Sequence, residues 1–403
     1  MRDGLELLKD RNFAKLFTAY LITVTGSAMA PIAIAFGVLD LTGSTRTSAF
    51  VLASPVVAQI VILMIGGAVA DRTSRQTVMV TSDLLSALSQ ATVAALFLTG
   101  TVTVPLLIAL MLVNGACTAF HAPAAMGFTP QVVPQDKLQS ANALLGAARS
   151  SALIAGAALA GVLVAAFGAG ISLALDAISF VLAAALLASL RVGAQAPTEP
   201  ASMIEDLRLG AREFFSHTWL WTIVLQFTIL VMGMESLFAL IGPAIARDVM
   251  GGARDWGFIV SAWGGGTIFG GLIALRMRVE RPMLVATLMC FLWSPLAMLM
   301  TVPFHLYVLL AAAFVQGVAG QIFGVLWSTT LQTRIPSHML SRVSAYDQLG
   351  SVAMAPAGVV LAGILYEDIG RQATLWIIAA SIIVPTALVL LVKDVRRMRA
   401  VVG

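Results

Sequence analysis

The chain has 403 residues, of which 59% are hydrophobic and 11% are charged, and its formal net charge is +4. Soluble domains carry roughly 25% charged residues, so this composition excludes a chain of soluble domains. The apolar runs are continuous and show no period-2 alternation, which favours membrane-spanning helices over a β-barrel. Cys117 and Cys290 both lie inside apolar runs, so we expect them to pack rather than to form a disulfide or bind metal.

Twelve apolar segments predict twelve membrane spans, which are numbered here in chain order. They lie near residues 14–38, 47–70, 77–99, 104–125, 140–167, 171–191, 219–246, 254–275, 282–302, 305–328, 342–366 and 372–393. Between spans 6 and 7, residues 192–218 form a polar connector that begins with Pro197 and Pro200. The part of it that starts at Ser202 is expected to be a solvated connector or a short surface helix.

The lysine and arginine distribution tests this count and orients the chain. With the N-terminus in the cytoplasm, nineteen of the 24 Lys and Arg residues fall in inside segments. Four fall outside, namely Arg46, Arg247, Arg254 and Arg371, and Arg149 lies within a span. This bias follows the positive-inside rule. We therefore expect a multi-pass protein of the plasma (inner) membrane with both termini in the cytoplasm.

An internal repeat divides the chain into halves. A shift of 202 residues places 134–138 on 336–340 and 159–163 on 361–365, with Gly156 on Gly358 and no gaps between the matches. Six spans repeated in the same orientation imply a pseudo-two-fold axis along the membrane normal, with a substrate site between the halves near the midplane. The predicted domains are an N-terminal six-helix bundle (1–191), a cytoplasmic linker (192–218) and a C-terminal six-helix bundle (219–403).

The loop after span 2 contains a motif that points to a known family. It has the sequence GAVADRTSR, with Gly67, Asp71, Arg72 and Arg75. It resembles the Gly-x-x-x-Asp-Arg signature loop of the major facilitator superfamily, and the resemblance extends over essentially the whole chain. That family's fold is all-α, with twelve transmembrane helices in two pseudo-symmetric halves. In it, this loop packs near the cytoplasmic start of span 11, so we expect a conformational latch; the alternative is a topology signal alone.

Further stretches resemble one branch of that superfamily, the enterobactin-exporter-like or transmembrane secretion effector branch. They are 120–123 with 130–134 and 141–143, then 175–180, 246–252 with 261–264, and 342–347. Members of that branch are similar to multidrug, macrolide and siderophore exporters. The resemblance implies export driven by the proton gradient, with no organic cofactor or metal. It also implies a small amphipathic substrate such as a drug, a secondary metabolite or a siderophore.

Charged residues inside spans are candidate sites because each costs roughly 2.5–3.5 kcal/mol at the centre of a membrane helix. Glu235 lies past the middle of span 7, where desolvation favours the protonated acid and suits proton coupling. Arg149 in span 5 is expected to bind an anionic substrate group or to pair with an acid. Asp83, Asp176 and Asp347 are further coupling candidates, and for all four acids a structural pair is the alternative.

Several tryptophan, phenylalanine and methionine residues are interpreted either as the lining of an adaptable apolar cavity or as ordinary packing. They are Trp263, Trp293, Trp327, Phe238, Met232 and Met234.

Other functions remain open at this stage. A nutrient or ion-coupled symporter that imports a small solute would share the fold, and so would a non-transporting membrane sensor. An enzyme is disfavoured because no P-loop, His-Glu-x-x-His or nucleophile motif occurs in the sequence. The expected partners are a small-molecule substrate and the lipid bilayer. We expect a functional monomer that does not bind nucleic acid.

Overall fold

The computed structural model describes residues 7–72, 74–134, 137–190, 203–302 and 305–400, and these ranges contain twelve helical spans that are long and apolar enough to cross a membrane. In chain order they are Arg11–Thr42, Thr45–Arg72, Arg75–Thr99, Val104–Val132, Leu138–Phe167, Ala169–Ala188, Thr218–Val249, Ala253–Ala274, Pro282–Leu299, Leu306–Arg334, Tyr346–Asp368 and Gly370–Val389. All twelve predicted spans are confirmed, with ends that differ by a few residues. The chain is a multi-pass α-helical membrane protein.

Shorter helices flank the spans of the second half. The helix Met203–Ser216 precedes span 7, and the helix Lys393–Arg397 follows span 12. The helix that leads into span 11 begins at Ser337. Residues 192–202 of the predicted linker lie outside the described residues.

Local sequence signals set the ends of span 1. The side chain of Asp10 accepts hydrogen bonds from the backbone N–H groups of Asn12 and Phe13, so it caps the first turn. Gly43 ends the helix with φ 65°, a left-handed conformation that glycine adopts without steric cost.

Three spans are interrupted, each next to a proline. In span 7, the turn Leu237–Ile241 has π-helical hydrogen bonds and lies just before Pro243, which cannot donate to the carbonyl four residues earlier. In span 9, a 3-10 turn at Phe291–Trp293 precedes Pro295. Span 11 breaks before Pro356, between helices that end at Val352 and begin at Ala355.

The chain forms two compact units. The first comprises Met1–Thr198 with Pro243–Phe258, and the second comprises Glu199–Gly242 with Ile259–Gly403. One apolar cluster in the first unit joins spans 1, 3, 4 and 6, where Leu16, Met79, Phe128 and Leu187 are buried. The largest cluster of the second unit joins the corresponding spans 7, 9, 10 and 12, together with span 11. The two units therefore build their cores from equivalent helices.

Equivalent close helix contacts at glycine recur in the two units. In the first unit, a Cβ on Gly156 of span 5 would lie 2.6 Å from the backbone carbonyl oxygen of Thr25 in span 1. In the second, a Cβ on Gly358 of span 11 would lie 2.5 Å from the carbonyl oxygen of Met232 in span 7. Both crossings bring two backbones together where only hydrogen fits, as small residues do in membrane helices.

A second pair of contacts follows the same pattern. Gly115 of span 4 meets the carbonyl oxygen of Pro55 in span 2, and Gly317 of span 10 meets that of Trp263 in span 8. Gly115 and Gly317 are separated by the predicted 202 residues, whereas Pro55 and Trp263 are separated by 208. The second half is therefore shorter by about six residues between spans 8 and 10, and the single shift aligns only the later spans.

Candidate functional site

A buried acid and a histidine meet in the first unit. Asp83 on span 3 and His121 on span 4 approach to 3.3 Å between Oδ1 and Nε2. The Asp83 side chain is 3% exposed and that of His121 is 26% exposed. The other carboxylate oxygen of Asp83 has no hydrogen-bond partner among the described residues. This is an ion pair whenever the imidazole is protonated and a weaker polar contact when it is not.

Asp83 belongs to a buried polar stripe along span 3. The stripe recurs at helical spacing and consists of Ser82, Asp83, Ser86, Ser89 and Gln90, all of which are buried. Residues three, four and seven apart lie on one face of a helix, so the stripe faces the interior of the unit. Burying polar groups in the membrane interior costs free energy unless they are paired, and such groups often mark the pathways of protons or substrates. The stripe is therefore a candidate pathway for protons.

Asp176 on span 6 lies at the other end of this stripe. Its Oδ2 accepts a hydrogen bond of 2.7 Å from Nε2 of Gln90. The hydroxyl of Ser179, one turn further along, donates to the Asp176 backbone carbonyl at 2.7 Å. Gly26 of span 1 covers the carboxyl group, because a Cβ there would lie 2.8 Å from Oδ1. The acid is 1% exposed and its described side-chain partners are neutral.

Asp347 is the buried acid of the second unit. It is 8% exposed, and its Oδ2 accepts a 2.9 Å hydrogen bond from the indole Nε1 of Trp327. Trp327 stacks with Phe323 at 6.1 Å between ring centroids, and Phe323 stacks with Phe227 at 4.4 Å. Trp293 adds an edge contact to Phe227 at 5.8 Å. The acid is thus joined to a continuous aromatic cluster.

The other aromatic residues singled out in the sequence lie elsewhere. Phe238 and Trp263 form a separate pair with centroids 5.6 Å apart. The sulfur of Met234 accepts a hydrogen bond of 3.1 Å from Nε2 of Gln316. The structure therefore packs Met234, Trp293 and Trp327 against one cluster but does not bring the whole set together.

Glu235 lies on an exposed face of span 7. It directly precedes Ser236, the N-cap residue of the π-helical turn. Single π-helical turns are frequent at functional sites. Within the described ranges, no hydrogen-bond or ion-pair partner of its carboxylate is found. Its surroundings differ from those of Asp83 and Asp176, which are enclosed by neighbouring helices.

Arg149 is also exposed, on span 5 of the first unit. Among the residues that the structure describes, its guanidinium has no acidic partner.

The motif after span 2 is described in part. The helix of span 2 ends at Arg72, and the side chains of Gly67, Asp71 and Arg72 lie outside the described residues. Arg75 begins span 3, and its Nη1 donates a 2.6 Å hydrogen bond to the carbonyl of Gly127 on span 4. Gln76 donates to the carbonyls of Leu187 and Leu190 at the end of span 6. The start of span 3 is thereby fastened to spans 4 and 6.

At the opposite end of the first unit, the ends of spans 1 and 7 meet. Nη1 of Arg247 donates to the backbone carbonyl of Leu39, and its Nε lies 2.9 Å from Oδ1 of Asp248. Nearby, Gly161 of span 5 and Gly257 of span 8 cross closely, because a Cβ on Gly161 would lie 3.0 Å from Cα of Gly257.

Sequence reasoning missed His121 and Gln90. His121 lies in the stretch 120–123 that resembles the family, but it is otherwise one of four scattered histidines, and no spacing connects it to Asp83. Gln90 could have been predicted from the sequence, because Asp83 and Gln90 are seven residues apart in an apolar span and so share a helix face. A search for polar residues with helical periodicity inside spans would have found the stripe.

Comparisons with known proteins identify the family and the fold. A family model described as transmembrane secretion effector matches residues 4–401. The multidrug efflux pump Tap of Mycolicibacterium fortuitum is 27% identical over 377 residues, 89% of this chain and 90% of that protein. Macrolide efflux protein A of Streptococcus pyogenes is 22% identical over 397 residues, 96% and 97% of the two chains. The crystal structure of the nucleoside transporter NupG has a TM-score of 0.75 at 14% identity, covering 94% and 98%, and shows the shared fold.

Proposed function

Because this chain belongs to the transmembrane secretion effector family of major facilitator transporters, we propose that it exports small amphipathic molecules in exchange for protons. It is a transporter and not an enzyme, and transporters of this kind use ion gradients and need no cofactor. Two relatives named as multidrug and macrolide efflux proteins, each matched over most of its length, support the export direction and the substrate class.

One observation carries the proton-coupled part of the proposal: the buried acids have no fixed positive partner. Among the described residues, no lysine or arginine lies within ion-pair distance of Asp83, Asp176 or Asp347. An acid paired with arginine stays ionised, whereas an acid that faces a neutral amide, an indole or a titratable imidazole can exchange its proton. These acids therefore suit proton uptake and release within the membrane.

The roles of individual residues belong to this proposal. Asp83 with His121 and Asp176 with Gln90 hold exchangeable protons in the first unit, and Asp347 does so in the second. Glu235 and Arg149, whose side chains are exposed, contact the substrate or the coupling ion. Their exposure supports this role, because an unpaired charge inside a span is costly unless it meets water, ligand or a partner.

The latch and the domain division are also proposed. The loop with Gly67, Asp71, Arg72 and Arg75 holds the cytoplasmic side shut, which the bond between Arg75 and Gly127 supports by fixing the start of span 3. The bundles 1–191 and 219–403, joined by the linker 192–218, are the two halves of the transporter. Glycine contacts that recur between equivalent helices support this division.

Liposomes with a pH dye inside test the function directly. A proton gradient is imposed, a panel of amphipathic compounds is added, and wild type is compared with Asp83→Asn, Asp176→Asn and Glu235→Gln. Glu280→Gln is the matched control, because Glu280 is exposed in the loop before span 9. We expect some compounds to discharge the gradient with wild type and with the control, and at least one buried-acid variant to abolish that discharge.

Other outcomes separate the alternatives. If compounds move without any proton flux, coupling to protons is wrong and uniport or sodium coupling replaces it. If solutes move inward together with protons, the protein is an importing symporter. If no compound moves under any gradient, the exporter proposal fails and a non-transporting role comes forward.

A further inference from the structure

A basic cavity lies in the second unit, between span 7, span 10 and the C-terminal helix. Its volume is about 670 Å³. Four cationic side chains line it: Arg334, Lys393, Arg397 and Arg399.

Hydrogen bonds hold the cavity in shape. Nη2 of Arg334, the last residue of span 10, donates to the backbone carbonyl of Arg399. The N–H of Ala400 donates to the carbonyl of Glu280 at 2.8 Å. Val395 is fully buried, so the helix Lys393–Arg397 packs against the unit through one side. The C-terminal segment is therefore pinned back across the ends of the spans and forms a wall of the cavity.

Among the described residues, the lining of the cavity carries more positive than negative charge. Asp394 is the single acid among the lining residues. Within the described part of the chain, no carboxylate lies within ion-pair distance of any of the four cations. Glu213, on the surface helix nearby, instead faces His217 with 3.1 Å between Oε1 and Nε2. Four cations around one small space repel one another, and an anion bound among them relieves this repulsion.

The position of the cavity indicates which anion it meets. Arg334 ends span 10, Lys393 follows span 12 by four residues, and His217 directly precedes span 7. Trp219, a buried lining residue, is the second residue of span 7. The cavity is therefore at the level where the spans leave the hydrocarbon layer. The lysine and arginine bias places this end in the cytoplasm, where the leaflet carries anionic phospholipids.

We propose that this basic cavity binds a phosphate-bearing anion, either the headgroup of an anionic phospholipid or free phosphate. Arginine offers paired N–H donors that match two phosphate oxygens, and lysine adds a point charge. The proposal goes beyond the transport function, since none of the acids assigned to coupling lines the cavity.

The test measures binding and not transport, so it does not depend on the substrate. The full chain is purified in detergent with equal phosphatidylglycerol and phosphatidylcholine, and native mass spectrometry counts the retained lipids. Inorganic phosphate is titrated separately by calorimetry. The double variant K393Q/R397Q is compared with wild type and with Arg396→Gln, which removes an exposed charge from the same helix outside the cavity.

We expect wild type and Arg396→Gln to retain more phosphatidylglycerol than phosphatidylcholine. In the double variant the ratio of the two retained lipids should fall roughly tenfold or more, because two cations near the membrane surface are removed. Phosphate binding that is lost in the same variant, without a lipid preference, assigns the site to a soluble anion. Equal retention of both lipids with no phosphate binding overturns the proposal. An equal loss of the lipid preference in Arg396→Gln also overturns the proposal, because it would show that lipids respond to the overall surface charge and not to this cavity. Circular dichroism and size exclusion confirm that each variant is folded.

Discussion

His121 and Asp83 face one another across spans 4 and 3, with 3.3 Å between the imidazole Nε2 and the carboxylate Oδ1. Both side chains titrate, and neither has a lysine or arginine partner among the described residues. With one exchangeable proton the pair is neutral, either as a carboxylic acid beside a neutral imidazole or as an ion pair, and gain or loss of a proton leaves a single charge.

Replacing Asp83 with asparagine removes the proposed proton-accepting group but keeps the size and a polar contact. We expect Asp83→Asn to lose most of the substrate-driven proton flux in liposomes while it still binds compounds, as measured by tryptophan fluorescence. His121→Gln should reduce the flux as well, because the carboxylate loses its titratable partner. His305→Gln, in an exposed loop, serves as the histidine control. Wild-type flux in Asp83→Asn would exclude this pair from coupling.

The hydrogen bond from Gln90 to Asp176 should contribute to stability as well as to function. Gln90→Leu leaves the buried carboxyl group without its amide donor, at a cost of about 1.5–3 kcal/mol if the acid is ionised and less if it is protonated. We expect a lower melting temperature in detergent, measured by intrinsic fluorescence. Gln348→Leu, at an exposed position of span 11, is the control and should melt like wild type. Equal melting of Gln90→Leu and wild type would contradict the structural importance of the bond.

Alanine substitutions at glycines test the helix crossings, because the change in the free energy of unfolding should have opposite signs at tight and at open positions. Alanine at Gly156 or Gly358 places a methyl group against a backbone carbonyl, and overpacking of this kind costs typically about 1–3 kcal/mol. Alanine at Gly146 or Gly324 meets no atom within 4 Å and should stabilise the helix slightly, by up to about 1 kcal/mol. Thermal unfolding of the four variants measures the difference. Equal effects at all four sites would show that the crossings are loose.

The contact between Arg247 and Leu39 should help to keep the outer side of the first unit closed. Arg247→Gln shortens the side chain and removes its charge, so the carbonyl of Leu39 loses its donor. We expect a cysteine at Ala253, which is 4% exposed, to react faster with a membrane-impermeant maleimide in this variant. The background lacks Cys117 and Cys290.

Arg254→Gln is the matched control for that experiment, because Arg254 is exposed and its guanidinium carbon lies 5.7 Å from the ring centroid of Phe258 on the same helix. Faster labelling in both variants would point to a general loosening. Unchanged labelling in Arg247→Gln would rule out a latch at this position.

Much of the architecture follows from composition and local pattern. The apolar runs long enough to span a bilayer are helices, because lipid leaves the backbone only helices or closed barrels and these runs lack the period-2 alternation of a barrel. The glycines at 156 and 358 were matched by the repeat before their contacts were known. The signature loop after span 2 was enough to place the chain in its superfamily.

The sequence by itself therefore determined the number and order of the spans and which charges lie within them, since each depends on residues close together in the chain. Only the tertiary structure decided that His121 faces Asp83, that Gln90 reaches Asp176, and that Glu235 stays exposed. It also showed that the repeat changes register between spans 8 and 10. The reason is that contacts between residues on different helices depend on the rotation and the crossing angle of those helices. The packing of whole helix surfaces sets both, and the spacing of single residues does not record them.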